Sequence, residues 1–301
     1  MKKRLTKKRL ITGIFNKTIL IILSAMLFLY CVSLLIPLVW MLLTSVKSDL
    51  GYIINPIGFP REFKIQNYID VLTKYLHVEQ NGYYYGIGVM FYNSVVMSIG
   101  TSLVNVFWTV VCGYLFARYD FFGKKTIFTI GVVIMVITVV GTLPAEMRFY
   151  RTIGFYDNMY LMTFAIINPC FSGLNFLICH AAFKGISKEY TEAATIDGAG
   201  FYSIMFKIIV PMALPTATVL FVLSFIGAWN DYSRPLIWLP SYPNIPYGMY
   251  RFQMGASSGG DGANIPIVMA GFVIVMMPII ILYSFSQKII NSNFVVGGIK
   301  G

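Results

Sequence analysis

The chain has 301 residues, 57% of them hydrophobic and 12% charged, with a mean hydropathy of +0.72 and a formal net charge of +11. Soluble domains carry about 25% charged and 45–50% apolar residues, so these values exclude an ordinary soluble enzyme and place the chain in a bilayer. The positive charge does not signal nucleic acid, because the basic residues flank apolar blocks instead of forming a stripe interleaved with aromatics.

Residues 1–17 form a basic tail holding Lys2, Lys3, Arg4, Lys7, Lys8, Arg9 and Lys17, and residues 18–46 carry no charge. A secretory signal has an apolar region of about 7–15 residues followed by a small-residue cleavage site; this run is longer and reads as an uncleaved first span. Such a tail sets orientation and can meet anionic lipid. Residues 47–79 are mixed in charge and contain Pro56 and Pro60, which predicts a folded external segment. His77 has no partner at metal spacing and reads as a surface histidine. Tyr83, Tyr84, Tyr85 and Tyr92 suit an interfacial aromatic belt.

A second charge-free stretch, residues 80–117, predicts a span starting near Phe91, since about 20 apolar residues suffice to cross. Arg118, Asp120, Lys124 and Lys125 make a short polar turn. Residues 126–145 predict a third span, Glu146, Arg148, Arg151 and Asp157 a loop, and residues 158–183 a fourth span with His180 near its end. After a polar stretch come a fifth span at 208–230, the segment Asp231-Tyr-Ser-Arg234, and a run broken by Pro235, Pro240, Pro243 and Pro246. Residues 255–262 read as a flexible glycine- and serine-rich loop, 263–287 as the sixth span and 288–301 as a tail. Cys31, Cys112, Cys170 and Cys179 all lie in apolar blocks without zinc-like or disulfide-like spacing, and read as packing residues.

The polar stretch from Ser187 to Pro211 organises the rest. Ser187 can cap a helix whose first turns carry Glu189 and Glu192, where acid suits the dipole. That helix should stop near Gly198 or Gly200. Ala193 and Ala194 are small enough to let another surface approach its backbone. Phe201, Ile204, Met205, Ile208 and Ile209 then form one apolar helical stripe, which Pro211 would bend or end.

These residues resemble the membrane subunits of bacterial ABC importers. The family's cytoplasmic loop reads Glu-Ala-Ala, three residues, Gly, nine residues, Ile, one residue, Leu-Pro; here it is matched by Glu192, Ala193, Ala194, Gly198, Ile208 and Pro211, with Val210 in place of leucine. Ala194-Thr-Ile-Asp-Gly-Ala199 and Gly227-Ala-Trp-Asn-Asp231 resemble the carbohydrate-importer, maltose-permease-like version. The likeness extends from about Asn93 to Gly301, and more loosely over the first span. Arg234 departs from it, because the family usually has an apolar residue there.

The resemblance implies an all-α integral membrane protein, the six-transmembrane-helix domain of a type I ABC importer. Residues 1–90 would hold the basic tail, first span and external segment, 91–287 the importer domain, and 288–301 a cytoplasmic tail. It further implies a second, different permease subunit, two cytoplasmic ATPases that bind ATP and magnesium, an extracellular solute-binding protein, and a carbohydrate substrate. Glu192, Ala193, Ala194, Asp197 and Gly198 would dock in the ATPase. The chain itself has no Gly-x4-Gly-Lys-Ser/Thr loop, Gly-x-Ser-x-Gly elbow or His-Glu-x2-His helix, so no catalytic residue, cofactor or metal site is expected in it. The spans are almost free of the buried carboxylates and histidines that proton-coupled carriers use. Asn230 and Asp231, where the fifth span meets a surface, are candidates for the substrate path, although Asp231 is equally placed to pair with Arg234. An importer for another solute and a stand-alone secondary carrier are the alternatives.

Six spans put both termini on one side of a bacterial cell membrane. Fifteen Lys and Arg then fall on the terminal side and eight on the other, which makes the side of the termini and of Glu192 cytoplasmic.

Overall fold

The computed structural model describes residues 2–80, 82–137, 141–164, 173–257 and 264–293, and these are almost wholly helical. In chain order the elements are α1 (Lys2–Ser45), α2 (Asp49–Ile54), α3 (Gln66–Asp70), β1 (Val78–Gln80), β2 (Tyr83–Tyr85), α4 (Ile87–Arg118), α5 (Lys124–Val136), α6 (Leu143–Thr152), α7 (Met159–Phe164), α8 (Leu174–Gly185), α9 (Glu189–Ile196), α10 (Phe201–Ser203), α11 (Val210–Trp229), α12 (Ser233–Ile237), α13 (Ile245–Ser257) and α14 (Ile265–Asn293). Short π-helical segments occupy Val71–Tyr75 and Ile204–Ile209. Two compact units hold these elements: residues 1–72 with 260–274, and residues 73–259 with 275–301.

Four helices among the described residues are long and apolar enough to cross a bilayer: Lys17–Ser45, Ile87–Arg118, Phe201–Trp229 and Ile265–Ile290. They correspond to the expected first, second, fifth and sixth spans. The expected third span, 126–145, is not one helix. α5 ends where Ile137 turns extended, Gly141 adopts φ +85°, and Pro144 opens α6. Proline suits a helix's first turn, so a new helix begins where continuation was expected. The fourth, 158–183, contains α7 and α8, while residues 165–172, with Cys170, lie outside the described residues. So do most of the expected glycine-rich loop at 255–262 and the end of the C-terminal tail.

In the first unit, residues 17–39 of α1 are exposed along their whole length, as befits a helix solvated by lipid. Residues 47–72 that follow fold into a compact knot, the first part of the folded segment expected at 47–79. Lys47 is 2% exposed; its Nζ donates to the carbonyls of Asn55 (2.9 Å) and Pro56 (3.1 Å). Asn67 Nδ2 donates to the Ser45 and Lys47 carbonyls, and the Ser45 and Tyr68 hydroxyls lie 2.7 Å apart. A buried ammonium is tolerable only with such partners, and burial holds its pKa below the usual lysine value.

In the second unit, β1 and β2 form an antiparallel hairpin with Val78 opposite Tyr85. Tyr83, Tyr84 and Tyr85 are therefore strand residues, and α4 begins at Ile87, four residues before the expected start. The core is a trio of α4, α8 and α11. Small residues bring them close: a Cβ on Gly113 of α4 would lie 2.9 Å from Cys179 Sγ and 3.3 Å from that residue's carbonyl carbon on α8. Such close backbone approach is how membrane helices pack, since lipid supplies no hydrophobic drive between them. Trp229 at the end of α11 is buried and donates from Nε1 to the Val275 carbonyl of α14 at 3.0 Å.

Candidate functional site

Two places in the second unit hold the expected site residues. The first is α9 and its turn. Ser187 Oγ accepts the Glu189 N–H at 3.3 Å, although the N-cap position itself falls one residue later, at Lys188, without a side-chain cap bond. The helix ends as a Schellman motif: the Gly198 N–H bonds the Thr195 carbonyl (3.0 Å), and the Ala199 N–H reaches back to the Ala194 carbonyl (2.9 Å). Gly198 supplies the left-handed residue, at φ +79° with open space where a Cβ would stand. Gly200 has an ordinary φ of −74° and begins the next helix. That helix does not stop at Pro211. It passes from α10 through the π-helical turns into α11, giving one apolar helix, Phe201–Trp229. Widened π-helical turns recur as local adjustments around helix interruptions, and these lie just before the residue that lacks an N–H.

The structure separates the two alanines. Ala194 is 6% exposed and belongs to a cluster with Tyr114, Cys179, Phe183, Ile204, Met205 and Ile209. Glu192, Ala193, Asp197 and Gly198 are exposed, as are Tyr190 and Ile196, the latter at 86%. The small side chain of Ala194 thus allows α9 to lie on its own chain, while the outward face is built from Glu192 and Ala193 with the Gly198 turn beside them.

Residues read from the sequence only as a polar turn or as part of a span hold α9 in place. Arg118, the last residue of α4, donates from Nη2 to the Ile186 carbonyl at 2.6 Å, directly ahead of α9. Tyr114 is fully buried; its ring lies against Tyr119, Phe183 and Phe201 at centroid distances of 5.7, 5.6 and 6.2 Å. Lys124 bridges Asp120 (2.9 Å) and the Tyr119 carbonyl (2.8 Å), and the hydrogen bond and charge of Lys124 hold the Asp120 carboxyl below the usual carboxylate range.

The second place surrounds Asp231. Asn230 only caps its own helix, with Nδ2 on the Ile226 carbonyl at 2.9 Å. Asp231 Oδ1 accepts the N–H groups of Ser233 and Arg234 at 3.0 and 3.1 Å, its Oδ2 lies 3.5 Å from Arg234 Nε, and its carbonyl accepts Asn244 Nδ2. The pairing of Asp231 with Arg234 is therefore present. Arg234 also donates from Nη1 to Thr101 Oγ1 near the middle of α4, at 2.8 Å. These groups line a cavity of about 260 Å³ between α4, α6, α7 and α12; Asn230 does not line it, and Glu146 and Trp238 do. Asp157 fixes the loop behind the cavity. It adopts φ +57°, donates its N–H to the Trp238 carbonyl, and accepts both the N–H (2.9 Å) and Oγ (2.6 Å) of Ser241.

Long apolar helices packed through glycine, with one capped helix–turn–helix between them, define a multi-pass membrane subunit. The chain belongs to the family of binding-protein-dependent transport system inner membrane components, whose model matches residues 8–296, and it is thus a transport subunit. Among similar proteins, the inner membrane ABC transporter permease protein YcjP of Escherichia coli (strain K12) is 27% identical over 91% of this chain and 94% of its own length. The arabinooligosaccharides transport system permease protein AraQ of Bacillus subtilis (strain 168) is 30% identical over 70% of this chain and 73% of its own. Among solved structures, a bacterial ABC transporter for import of the acidic polysaccharide alginate includes a chain of the same fold, with TM-score 0.70 at 20% identity, covering 89% of this chain and 95% of that one.

Proposed function

We propose that this chain is one membrane-spanning permease subunit of an ATP-driven importer that translocates a carbohydrate handed over by an extracellular binding protein. It pairs with a second, different permease and with two cytoplasmic ATPases, which bind ATP and magnesium and perform the hydrolysis. Both termini and the α9 loop lie in the cytoplasm of a bacterial cell. The similarity to AraQ, an arabinooligosaccharides transport system permease protein, supports the substrate class.

The observation that carries the coupling role is the division of labour on α9. Its outer face, Glu192 and Ala193 with Asp197 and Gly198 at the turn, is open to a partner, and its inner face is anchored through Ala194. A force on the outer face passes into the Tyr114 cluster and the Arg118 bond, hence into α4, α8 and α11 together. That gives a nucleotide-driven ATPase a rigid handle on the spans, as a two-state coupling requires. The test is uptake of labelled oligosaccharides in a strain lacking this chain, with co-purification of the ATPase in the complemented strain. Unchanged uptake of every carbohydrate after deletion contradicts the reading.

A further inference from the structure

The cavity beside Asp231 has the features of a built binding site. Thr163 on α7 is 2% exposed, and its Oγ1 has no hydrogen-bond partner although it lines the cavity. A buried hydroxyl without a partner is destabilising. Asn105, also on the lining, lies in the charge-free stretch of α4, where a polar side chain is a functional candidate by default. Arg234 uses two N–H directions on Asp231 and Thr101 and keeps others of its five donors. Trp238 and Tyr150 meet edge to face at 5.0 Å and 89°, forming an aromatic corner at the same cavity.

We infer that this cavity is a substrate subsite for a single neutral sugar ring, with Thr163, Asn105 and Arg234 meeting its hydroxyls and Trp238 its C–H face. The inference rests on the carbohydrate reading above and narrows it. At about 260 Å³ the cavity falls below the roughly 300–1,000 Å³ of sites for drug-sized ligands, which suits one ring of a passing chain. Its charged lining is two carboxylates, Glu146 and Asp231, against the one guanidinium of Arg234. Asp231 already faces that guanidinium, so an anionic sugar would meet the Glu146 carboxylate without a compensating cation. Hydroxyl groups, which both donate and accept, satisfy the hydroxyl, amide and guanidinium groups together, as neither an alkyl chain nor a simple anion does. Gly100 lets Thr163 sit close against α4: a Cβ there would lie 2.5 Å from Thr163 Cγ2.

The test is saturation-transfer NMR on the full chain in lipid nanodiscs, with methyl α-D-glucopyranoside, methyl β-D-xylopyranoside, methyl α-L-arabinofuranoside and D-glucuronate as probes. At least one neutral glycoside should receive saturation, and Thr163→Val and Asn105→Leu should each weaken its binding at least fivefold. Thr163→Val removes an unpartnered hydroxyl, so its thermal stability should be unchanged or higher, which separates a binding loss from a folding loss. Glucuronate should give no signal until Glu146 is changed to Gln. No transfer from any neutral probe, binding indifferent to both variants, or glucuronate binding as well to the unmodified chain overturns the inference. Failure of the carbohydrate reading is seen separately, as cells whose carbohydrate uptake does not depend on this chain.

Discussion

Arg118 reaches across 68 residues of sequence to hold the Ile186 carbonyl at 2.6 Å. The bond joins the end of α4 to the residue ahead of Ser187, and charge-assisted hydrogen bonds of this kind contribute about 1.5–3 kcal/mol. Removing it frees one end of the handle without touching the outward face. Arg118→Gln should therefore leave the ATPase bound but lower the sugar imported per ATP hydrolysed several-fold. Paired measurement of uptake and hydrolysis in proteoliposomes checks this; an unchanged ratio makes the bond irrelevant to coupling.

The two alanines of α9 should respond differently to the same substitution. Ala193→Trp adds bulk to the exposed face, so the subunit should reach the membrane with its stability intact and lose the ATPase on purification. Ala194→Trp forces an indole into the cluster around Tyr114, and overpacking of that kind costs typically about 1–3 kcal/mol. It should lower the thermal midpoint of the subunit itself. Thermal melts and co-purification of both variants separate the two faces, and equal behaviour contradicts the assignment.

The start of the helix, its acidic first turn and its glycine stop were legible in the sequence because each depends on residues a few positions apart: Ser187 on Glu189, Gly198 on Thr195 and Ala194. The orientation of α9 was not legible. Ala193 and Ala194 are the same residue type in the same motif, and only the position of Tyr114 and Phe183 decides which one is buried. Four spans follow from length and hydropathy alone. The third failed as a single helix because hydropathy does not register the break marked by Gly141 and Pro144. The cavity was half visible: Asp231 stood out as a charge, whereas Thr101, Asn105 and Thr163 passed as span residues until α4, α7 and α12 were brought together. A polar residue inside a charge-free block was the available signal.

Gly198 and Gly200 separate backbone conformation from space. Neither has anything within 4 Å of a Cβ position, yet only Gly198 sits at positive φ. Gly198→Val should destabilise the turn by about 1–2 kcal/mol, the usual cost of a left-handed conformation for an L-residue, and should reduce ATPase attachment. Gly198→Asn should recover part of the loss, because asparagine tolerates that region. Gly200→Ala should be silent. Attachment and uptake in the three variants provide the measurement, with a silent Gly198→Val as the contrary outcome.

The side of the membrane is open to chemical test. In a background lacking Cys31, Cys112, Cys170 and Cys179, single cysteines at Phe59, which is 79% exposed in the knot after α1, and at Glu192 report opposite faces. An impermeant maleimide added to intact cells should label Phe59→Cys and leave Glu192→Cys unmodified until the cells are opened. The reverse pattern would invert the orientation derived from the fifteen-to-eight asymmetry of basic residues and remove α9 from the reach of any cytoplasmic ATPase.

The packing of α4 on α8 gives the last prediction. With 2.9 Å between a Cβ at Gly113 and Cys179 Sγ, and 3.3 Å to backbone, the sulfur has some freedom to turn away but the backbone has none. Gly113→Ala should therefore be tolerated with a modest loss of stability, while Gly113→Val should push the helices apart and loosen the cluster that carries Ala194. Cys179→Ala should partly rescue Gly113→Ala by vacating the sulfur's place, and should not rescue Gly113→Val, whose branches meet the backbone. Thermal unfolding of the parent chain, the three single variants and the two double variants in detergent, with the double-mutant coupling between 113 and 179 computed from them, decides the matter. A coupling near zero would mean that α4 and α8 are not in close contact at this position, and that the handle on α9 does not act through their shared seam.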